Sequence, residues 1–294
     1  MKLIKQSYEI IPQENSLIGM YKHIEKAARV CYKSEDKIND TSYEKMVNAL
    51  KNSKHFAMME HGTIYLKLNR YAKAFEYKYE KYRINPYSKT KEFGDYYYIT
   101  TNYRVILENK WEDDLQFICE PTEHHEKRVT VKFVTNIGIS REFTRHRVFS
   151  FAVESTRYCN YSLSKFGEEI TYIKPWWISE SRIKHYFEYQ EQQLSKSDWM
   201  IDIEDGDVIS TYLEYLENIE SYYLYLSNIN KLKPEEARGI LPLDTKCEMI
   251  MTGFVSDWQH FFDLRAIGTT GKPHPQAKEL AEPLMEEFKS LGYL

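Results

Sequence analysis

The chain has 294 residues, with 40 basic and 44 acidic side chains and a formal net charge of −4. The length suits one large domain or two small ones, and the near balance of charge argues against a general nucleic-acid binder, which is normally basic overall. The four cysteines lie far apart, and the chain begins without an apolar signal segment. We therefore expect a cytoplasmic protein without disulfides or a membrane span.

The first 53 residues predict a strand followed by two helices. The apolar pattern and Pro12 indicate a strand over 2–12. Apolar residues at three- and four-residue steps predict a helix from Ser16 to Tyr32, capped by Asn15 or Ser16, and a second helix over 42–53.

A short polar segment, Glu60-His61-Gly62-Thr63, stands before an alternating strand over 64–68. An imidazole and a hydroxyl at the mouth of a strand could face a ligand. On these residues alone we favour a turn in which Gly62 relaxes the backbone and His61 bonds a carbonyl.

Residues 70–126 have a mixed pattern, rich in tyrosine and lysine at first. A short strand over 96–100 precedes a helix over about 102–119 that is broken near Trp111. We interpret this region as an insertion that covers the rim of a site or forms an oligomer contact. His124-His125-Glu126 does not predict a metal site, because adjacent histidines face different ways and no third ligand has suitable spacing.

The segment after residue 128 predicts a strand that leads into a charged helix. The alternation over 129–135 indicates the strand, and 136–138 makes a turn. Ser140 then caps a helix that carries Arg141, Glu142, Arg145 and His146. The dipole of this helix would add to its attraction for anions.

The C-terminal half is predicted to be mostly helical. Pro234 suits the first turn of a helix that carries Arg238 towards Leu241-Pro242. The other predicted elements are a long helix over 206–230, an apolar and mostly helical segment over 246–264, a loop over 268–275 and a last helix over 276–290.

The stretch from Arg145 to Tyr158 holds three arginines, a histidine and a glutamate within fourteen residues. Arginines so close together repel one another, and a bound anion would remove that cost. A solvated basic face is the alternative. The interleaved apolar residues, such as Val148 and Phe151, argue against it because they draw the segment into a core.

These residues, with others at a distance, resemble the signature of the flavin-dependent thymidylate synthases. Arg145-His146-Arg147 is followed after seven residues by Ser155, and then by Arg157-Tyr158. Further matches occur in the family's order: Glu60-His61-x-Thr63, Glu142, Ala237-Arg238-x-x-Leu241-Pro242, and Leu264-Arg265 followed by His274-Pro275-Gln276. The resemblance covers roughly 1–69 and 127–294.

The resemblance implies an α+β fold, a sheet flanked by long helices. One domain, 1–294, would form each subunit of a homotetramer, with a family-atypical insertion around 70–126. It also implies FAD-dependent methylation of dUMP to dTMP, with 5,10-methylenetetrahydrofolate as carbon donor, NADPH as reductant and no cysteine nucleophile. Neither nucleic acid, membrane nor metal is expected as a partner.

The resemblance also implies roles for individual residues. Arg265 would be catalytic, against the uracil ring. The other implied dUMP contacts are Glu142, Arg145, Glu154, Ser155, Thr156, Arg157 and Arg238. The implied FAD contacts are Thr63, Arg145, His146, Arg147 and His260. His61 and Tyr158 would lie where folate or nicotinamide enters.

The chain departs from the family pattern at three places. Val153 stands where many members have Glu or Gln, so either Glu154 takes that role or the contact is lost. Phe254 and His260 stand where members often have asparagines, and the loop from Arg265 to His274 is longer than usual. The alternative functions are a homologue that binds nucleotide or flavin without turnover, and a nucleic-acid binder using the arginines and tyrosines.

Overall fold

The computed structural model describes residues 1–71, 73–194 and 207–294. By its internal contacts the chain divides into two compact units. Unit 1 comprises Met1–Gln6, Thr135–Ile139 and Ser155–Cys247. Unit 2 comprises Ser7–Val134, Ser140–Glu154 and Glu248–Leu294.

Strands and helices alternate along the chain. The described strands are β1 (Lys2–Ile4), β2 (Ser7–Ile10), β3 (Thr63–Asn69), β4 (Lys89–Phe93), β5 (Tyr96–Asn102), β6 (Arg128–Asn136), β7 (Ser150–Val153), β8 (Thr171–Ile173) and β9 (Lys246–Phe254). The described helices are α1 (Leu17–Val30), α2 (Ser42–Asn52), α3 (Lys73–Arg83), α4 (Tyr103–Asn109), α5 (Ile137–Phe143), α6 (Glu180–Leu194), α7 (Val208–Asn228), α8 (Pro234–Ala237), α9 (Val255–Phe262) and α10 (Pro275–Ser290). The fold class is therefore mixed α/β.

The described strands form three sheets, where the resemblance implied one. The largest has the order β2-β6-β9-β7, and its edge strands β2 and β7 run antiparallel to their neighbours. A second sheet, β3-β5-β4, is antiparallel throughout, and β1 pairs with β8 in parallel.

Each unit has its own apolar core. In unit 2, α1 and α2 pack on the second sheet through residues such as Met20, Ile24 and Leu66, all at most 1% exposed. A separate aromatic cluster joins Phe133, Phe143 and Trp258 with their neighbours. In unit 1, the inner face of α7 packs on β8 and on the segment around Cys159.

Several predicted elements are confirmed with small shifts of their ends. The helix predicted from Ser16 is α1, and the Ser16 side chain caps it by accepting a hydrogen bond from the Gly19 amide. The helix predicted over 102–119 is α4 followed by a 3-10 turn, with the break at Lys110–Trp111. Of the helix predicted over 206–230, residue 206 lies outside the described residues and the rest contains α7.

Three predictions about elements are wrong. The strand predicted over 2–12 is two strands, β1 and β2, in different sheets. The segment 246–264 begins with a nine-residue strand, β9, before the helix α9. β9 lies between β6 and β7 in the sheet. All but its first residue are buried, so both of its faces are covered. A strand of this kind has a continuous apolar pattern that a helix can share.

The third wrong prediction concerns the charged helix. Ser140 lies inside α5 and does not cap it, and the helix ends at Phe143. Arg145 and His146 therefore follow its C-terminal end, where the helix dipole favours cations. The dipole makes no contribution to anion binding at these residues. Within 71–90, the pattern also gave no sign of α3 or of the start of β4.

Candidate functional site

The turn that carries the Arg-His-Arg sequence is fixed by aromatic side chains on both sides of it. Phe143 ends α5 and packs edge-on against Phe261 at 5.0 Å between ring centroids. Phe149, after the turn, packs on Trp258 at 4.8 Å. The ring of Phe149 also lies over Gly253, where a Cβ atom would come within 2.4 Å of it. Between these two anchors, His146 is buried and its neighbours Arg145 and Arg147 are exposed.

Arg265 lies in a single π-helical turn, Asp263–Ile267, between α9 and α10. The turn is closed by a hydrogen bond from the Gly268 amide to the Asp263 carbonyl at 2.9 Å. Gly268 has φ +82°, a left-handed conformation in which glycine avoids the cost of a Cβ atom. π-turns of this kind are frequent at functional sites, because they change the direction in which a side chain points.

The guanidinium of Arg265 is held by three hydrogen bonds. Its Nη1 donates to Glu142 Oε2 at 2.7 Å, and its Nη2 donates to the Glu142 carbonyl at 2.9 Å. Its Nε donates to His146 Nε2 at 3.1 Å. Two of its five N–H groups remain for another acceptor. The side chain of Arg265 is 16% exposed, so the group is largely buried and its direction is fixed.

The electrostatics of this group keep His146 neutral. Burial, and then the neighbouring Arg265, His260 and Arg145, lower the pKa of His146 to about 4. Since Arg265 Nε–H donates to Nε2, the neutral ring carries its proton on Nδ1. Burial also lowers the pKa of Arg265, while the Glu142 carboxylate acts in the opposite direction. A guanidinium remains charged at neutral pH despite such a shift.

A cleft of about 1080 Å³ opens on these residues. Its lining comprises Glu142, Arg145, His146, Arg147, Val148, His260, Leu264, Arg265, Thr270, Gly271, Lys272, Pro273 and His274. All of them belong to unit 2. In the described parts of the chain, the side chains of Arg145, Arg147 and Lys272 have no ion-pair partner, whereas Arg265 is paired with Glu142. The cleft therefore holds three cations whose charge is not compensated.

His61 and Thr63 lie inside unit 2, away from the cleft lining. His61 is completely buried, and its Nδ1 lies 2.8 Å from the Thr252 hydroxyl. Burial lowers the pKa of His61 to about 3, so the ring is neutral. The partner of Nδ1 is a hydroxyl, and a hydrogen bond with the Phe151 backbone also acts on the ring. The Thr63 hydroxyl accepts a hydrogen bond from Arg128 at 3.2 Å.

Val153 and Glu154 are held by β9. Val153 pairs with Met249, and its side chain is half-buried. Glu154 is buried, and its Oε2 accepts a hydrogen bond from the Glu248 amide at 3.0 Å. This carboxylate therefore points at the sheet backbone, which distinguishes it from the exposed arginines before it.

The second half of the signature belongs to unit 1 and is more exposed. Ser155 and Thr156 are half-buried, and Tyr158 is exposed. Arg157 Nε donates to Glu235 Oε2 at 3.0 Å, and its guanidinium lies 5.3 Å from the Tyr158 ring centroid. Arg238 is exposed in a short 3-10 turn after α8.

The structure adds cleft residues that the sequence patterns did not single out. Thr270 and Lys272 line the cleft from the loop between Arg265 and His274. The unusual length of this loop was the available signal. The π-turn around Arg265 has no sequence pattern that would predict it.

The adjacent histidines at 124 and 125 have protein partners. The His124 ring packs on Phe93 at 4.1 Å between centroids, and His125 Nε2 lies 3.1 Å from the Leu66 carbonyl. In the parts of the chain that are described, no group of three or more His, Cys, Asp or Glu is arranged to hold a metal ion. No described helix combines the length and the apolar character needed to cross a membrane.

The chain is similar to a known protein family and to individual members of related sequence. Residues 119–291 match the family model described as thymidylate synthase complementing protein. The chain is 26% identical over 166 residues to a probable flavin-dependent thymidylate synthase of Paramecium bursaria Chlorella virus 1. The matched region covers 56% of this chain and 69% of the viral protein. It is also 26% identical over 168 residues to a flavin-dependent thymidylate synthase of Synechocystis, with the same coverage.

Solved structures that match this chain include those of a UMP/dUMP methylase, PolB, from Streptomyces cacaoi. Its structure with 5-Br dUMP gives a TM-score of 0.44 at 17% identity and covers 99% of this chain and 93% of the other. Its structure with 5-Br UMP gives a TM-score of 0.45 at 16% identity, covering 99% and 92%.

Proposed function

Because the chain belongs to the thymidylate synthase complementing protein family, we propose that it is an FAD-dependent enzyme that methylates dUMP to dTMP. The names of its relatives in the virus and the cyanobacterium support this reaction. The observation that carries the proposal is the cleft of unit 2, where a fixed Arg265 faces the same space as three uncompensated cations. We further assign 5,10-methylenetetrahydrofolate as carbon donor and NADPH as reductant.

The cleft residues fit a flavin dinucleotide in size and in charge. Pockets for small ligands have volumes of about 300 to 1,000 Å³, and this cleft, at about 1080 Å³, lies just above that range. The pyrophosphate of FAD is an anion of the kind that Arg145, Arg147 and Lys272 would stabilise. His146 offers a neutral ring with a proton on Nδ1. When bound and reduced, the flavin supplies the hydride for the pyrimidine.

Arg265 is assigned the electrostatic role in the reaction. Hydride addition to the uracil ring places negative charge on its carbonyl oxygen O4, and a cationic donor at that position would lower the barrier. The guanidinium has two N–H groups left to donate to such oxygen or nitrogen atoms. Because three hydrogen bonds already fix its direction, little reorganisation is needed as the charge develops.

Glu142 and His146 are assigned the role of holding Arg265. Glu142 supplies both a carboxylate and a carbonyl, and His146 supplies a ring nitrogen lone pair. A protonated His146 would lose that lone pair and place a second cation beside Arg265. The low pKa of His146, about 4, prevents this at neutral pH.

Residues of unit 1 are assigned to the nucleotide phosphate. Ser155, Thr156, Arg157 and Arg238 combine hydroxyl donors with exposed guanidinium groups, which suit a phosphate dianion. Glu154 is the residue whose assignment as a dUMP contact has the least support, since its carboxylate bonds the Glu248 amide. The exposed Tyr158 stays assigned to the point where folate or nicotinamide enters, whereas the buried His61 is assigned no direct contact with these ligands. The assembly stays assigned as a homotetramer.

The test is an omission experiment on the purified protein. With NADPH, dUMP and 5,10-methylenetetrahydrofolate supplied to the flavin-loaded protein, dTMP should form. Leaving out any one of these three, or removing the bound flavin, should stop it. The protein should be yellow, bleach with NADPH and regain its colour when dUMP and folate are added. Failure to bind flavin overturns the proposal. Flavin reduction without dTMP formation would instead indicate a homologue that binds its ligands without turnover.

A further inference from the structure

The loop 268–274 brings a second source of positive charge to the cleft of unit 2, separate from the Arg-His-Arg turn. Thr270 and Lys272 of this loop line the cleft, and both are exposed. His146, which lines the same cleft, is only 7% exposed. Lys272 therefore presents its charge towards the solvent side of the cleft, where a molecule that enters would meet it.

The backbone of this loop is fixed by contacts within it. The amides of Gly268 and Thr269 both donate to the Asp263 carbonyl at 2.9 Å, and the Thr269 hydroxyl donates to the same oxygen at 3.2 Å. The Gly271 amide donates to the Gly268 carbonyl at 3.2 Å. A Cβ atom at Gly268 would lie 2.7 Å from Cδ of Pro273, so the loop folds back on its own start. A loop that is already ordered loses less entropy when its side chains bind a ligand.

The positive charge of the cleft is larger than a flavin dinucleotide requires. Arg145, Arg147 and Lys272 have no ion-pair partner among the residues that the structure describes. The pyrophosphate of FAD carries two negative charges, and the two arginines, which lie on one turn, match them in number. The charge of Lys272 is left over, and an uncompensated cation at a cleft attracts a further anion.

The identity of that anion rests on the proposed function, which names the molecules that must reach the flavin. The dUMP phosphate is already assigned to residues of unit 1. NADPH and 5,10-methylenetetrahydrofolate remain, and each carries an anionic group far from its reacting ring. This group is a 2′-phosphate in NADPH and a glutamate in the folate. Both present anionic oxygens, which an ammonium and a hydroxyl bind as hydrogen-bond donors.

We propose that Lys272 and the Thr270 hydroxyl bind the remote anionic group of a co-substrate, a phosphate or a carboxylate, while its reactive ring reaches the flavin. The contact contributes affinity and selectivity, and it takes no part in the chemical step. Because the loop is longer than is usual in the family, this contact belongs to the loop of this chain and not to the shared signature.

The first test is calorimetric binding to the flavin-loaded protein, with pairs of probes that differ in the anionic group. Adenosine 2′,5′-bisphosphate is compared with AMP, and tetrahydrofolate is compared with tetrahydropteroate, which lacks the glutamate. Lys272→Gln should weaken the binding of one of the two longer probes about 10-fold, through the loss of a charged hydrogen bond, and should leave its shorter partner unchanged. The pair that responds identifies the co-substrate.

The second test follows the two half-reactions separately. Reduction of the bound flavin is measured with NADPH and with NADH, and its reoxidation is measured with 5,10-methylenetetrahydrofolate in the presence of dUMP. In Lys272→Gln, the concentration of the identified co-substrate that gives half the maximal rate should rise about 10-fold. The maximal rate should stay within about twofold of the wild type. If the co-substrate is NADPH, the concentration of NADH required should not change.

Three further variants serve as controls. Lys272→Arg keeps the charge and should retain most of the affinity for the longer probe. Thr270→Val removes one neutral donor and should weaken the same probe less than Lys272→Gln does. Lys278→Gln is the matched control, because Lys278 is an exposed lysine of α10 that pairs with Glu282 and does not line the cleft. It should bind every probe as the wild type does.

Unchanged affinity for both longer probes in Lys272→Gln would overturn the inference. An equal loss for a longer probe and its shorter partner would overturn it too, because Lys272 would then not contact the group in which they differ. Loss of bound FAD with unchanged probe binding would assign Lys272 to the flavin pyrophosphate, against the proposal.

Failure of the proposed function is recognised separately, by the flavin content of the wild type. If the protein takes up no flavin, the proposed reaction is contradicted, and the same probes are titrated into the protein as purified. A longer probe that still binds more weakly to Lys272→Gln, with its shorter partner unchanged, would support the anion contact. Equal binding to both proteins would overturn it.

Discussion

The two halves of the signature stretch present arginines that differ in how firmly they are held: Arg265, which bonds His146 of the first half, and Arg157 in the second half. Arg265, beside the Arg-His-Arg turn in unit 2, is 16% exposed and makes three hydrogen bonds. Arg157, in the second half and in unit 1, is 56% exposed and pairs with Glu235, which is 41% exposed. His146 of the first half therefore helps to keep the charge of Arg265 in one direction. Arg157 of the second half stays accessible, which suits its proposed contact with phosphate.

The largest loss of activity is expected from substitution of Arg265. Arg265→Ala should lower the rate of dTMP formation about 100- to 1,000-fold, because one preorganised donor to a developing negative charge is lost. Arg265→Lys should restore little, since an ammonium cannot make the same three fixed hydrogen bonds. FAD content, measured from the absorption spectrum, should stay near that of the wild type. Wild-type turnover in either variant would remove Arg265 from the mechanism.

Lowering the pH should weaken unit 2, because burial lowers the pKa of four of its histidines: His23, His61, His125 and His146. The pKa values of His23, His61 and His146 are about 4, 3 and 4, mainly through burial, against 6.5 for an unburied ring. As the pH falls below about 6.5, the unfolded chain takes up protons that the folded one does not. The free energy of unfolding should therefore fall between about pH 6.5 and pH 3, the folded pKa of His61, and these groups should have no effect on its pH dependence above that range.

Amide hydrogen exchange at a series of pH values would measure this loss locally. Peptides of unit 2 around residues 23, 61 and 146 should lose protection from global opening as the pH is lowered. His146→Gln removes one of these titrating rings, so the free energy of unfolding should depend less steeply on pH. Protection that stays constant or increases towards acid would show that these rings are not held neutral.

The packing beneath the Arg-His-Arg turn can be tested with a pair of glycine variants. Gly253→Ala would place a Cβ atom 2.4 Å from the Phe149 ring, so the ring and the turn must move. We expect a loss of about 1–3 kcal/mol in the free energy of unfolding, measured in urea, together with lower activity. Gly239→Ala is the control, because no atom lies within 4 Å of its Cβ position. Equal stability of the two variants would contradict the packing described.

The smallest loss of activity is expected from substitution of Arg157, in the second half of the signature stretch. Arg157→Ala should raise the KM for dUMP about 10-fold, through the loss of one charged contact to phosphate. The kcat should change much less. The free energy of unfolding should stay within about 0.5 kcal/mol of the wild type, because an exposed ion pair contributes little. A large loss of kcat or of stability would mean that Arg157 and Arg265 do not differ as described.

Local features of the fold could be predicted from the sequence. The Ser16 cap, the break near Trp111 and the strand before the Arg-His-Arg turn depend on neighbouring residues, and the structure has them. β9 was mistaken for a helix because burial on both faces removes the alternation that identifies a strand.

The geometry of the site depends on contacts that no local pattern contains. Arg265 and Glu142 are 123 residues apart in the chain, and the π-turn that directs Arg265 has no sequence signal. The resemblance selected the residues, but which of them share one cleft required the fold. Lys272 was missed because a lone lysine in a loop has no pattern, although the length of that loop marked its place.

The most direct measurement is a single turnover without oxygen. The protein is reduced with one equivalent of NADPH per bound flavin, and dUMP and 5,10-methylenetetrahydrofolate are then added. We expect the oxidised flavin spectrum to return and one dTMP to form for each flavin reoxidised. Reoxidation without dTMP, or dTMP formed while the flavin stays reduced, would contradict the proposal that this cleft couples a flavin to the methylation of dUMP.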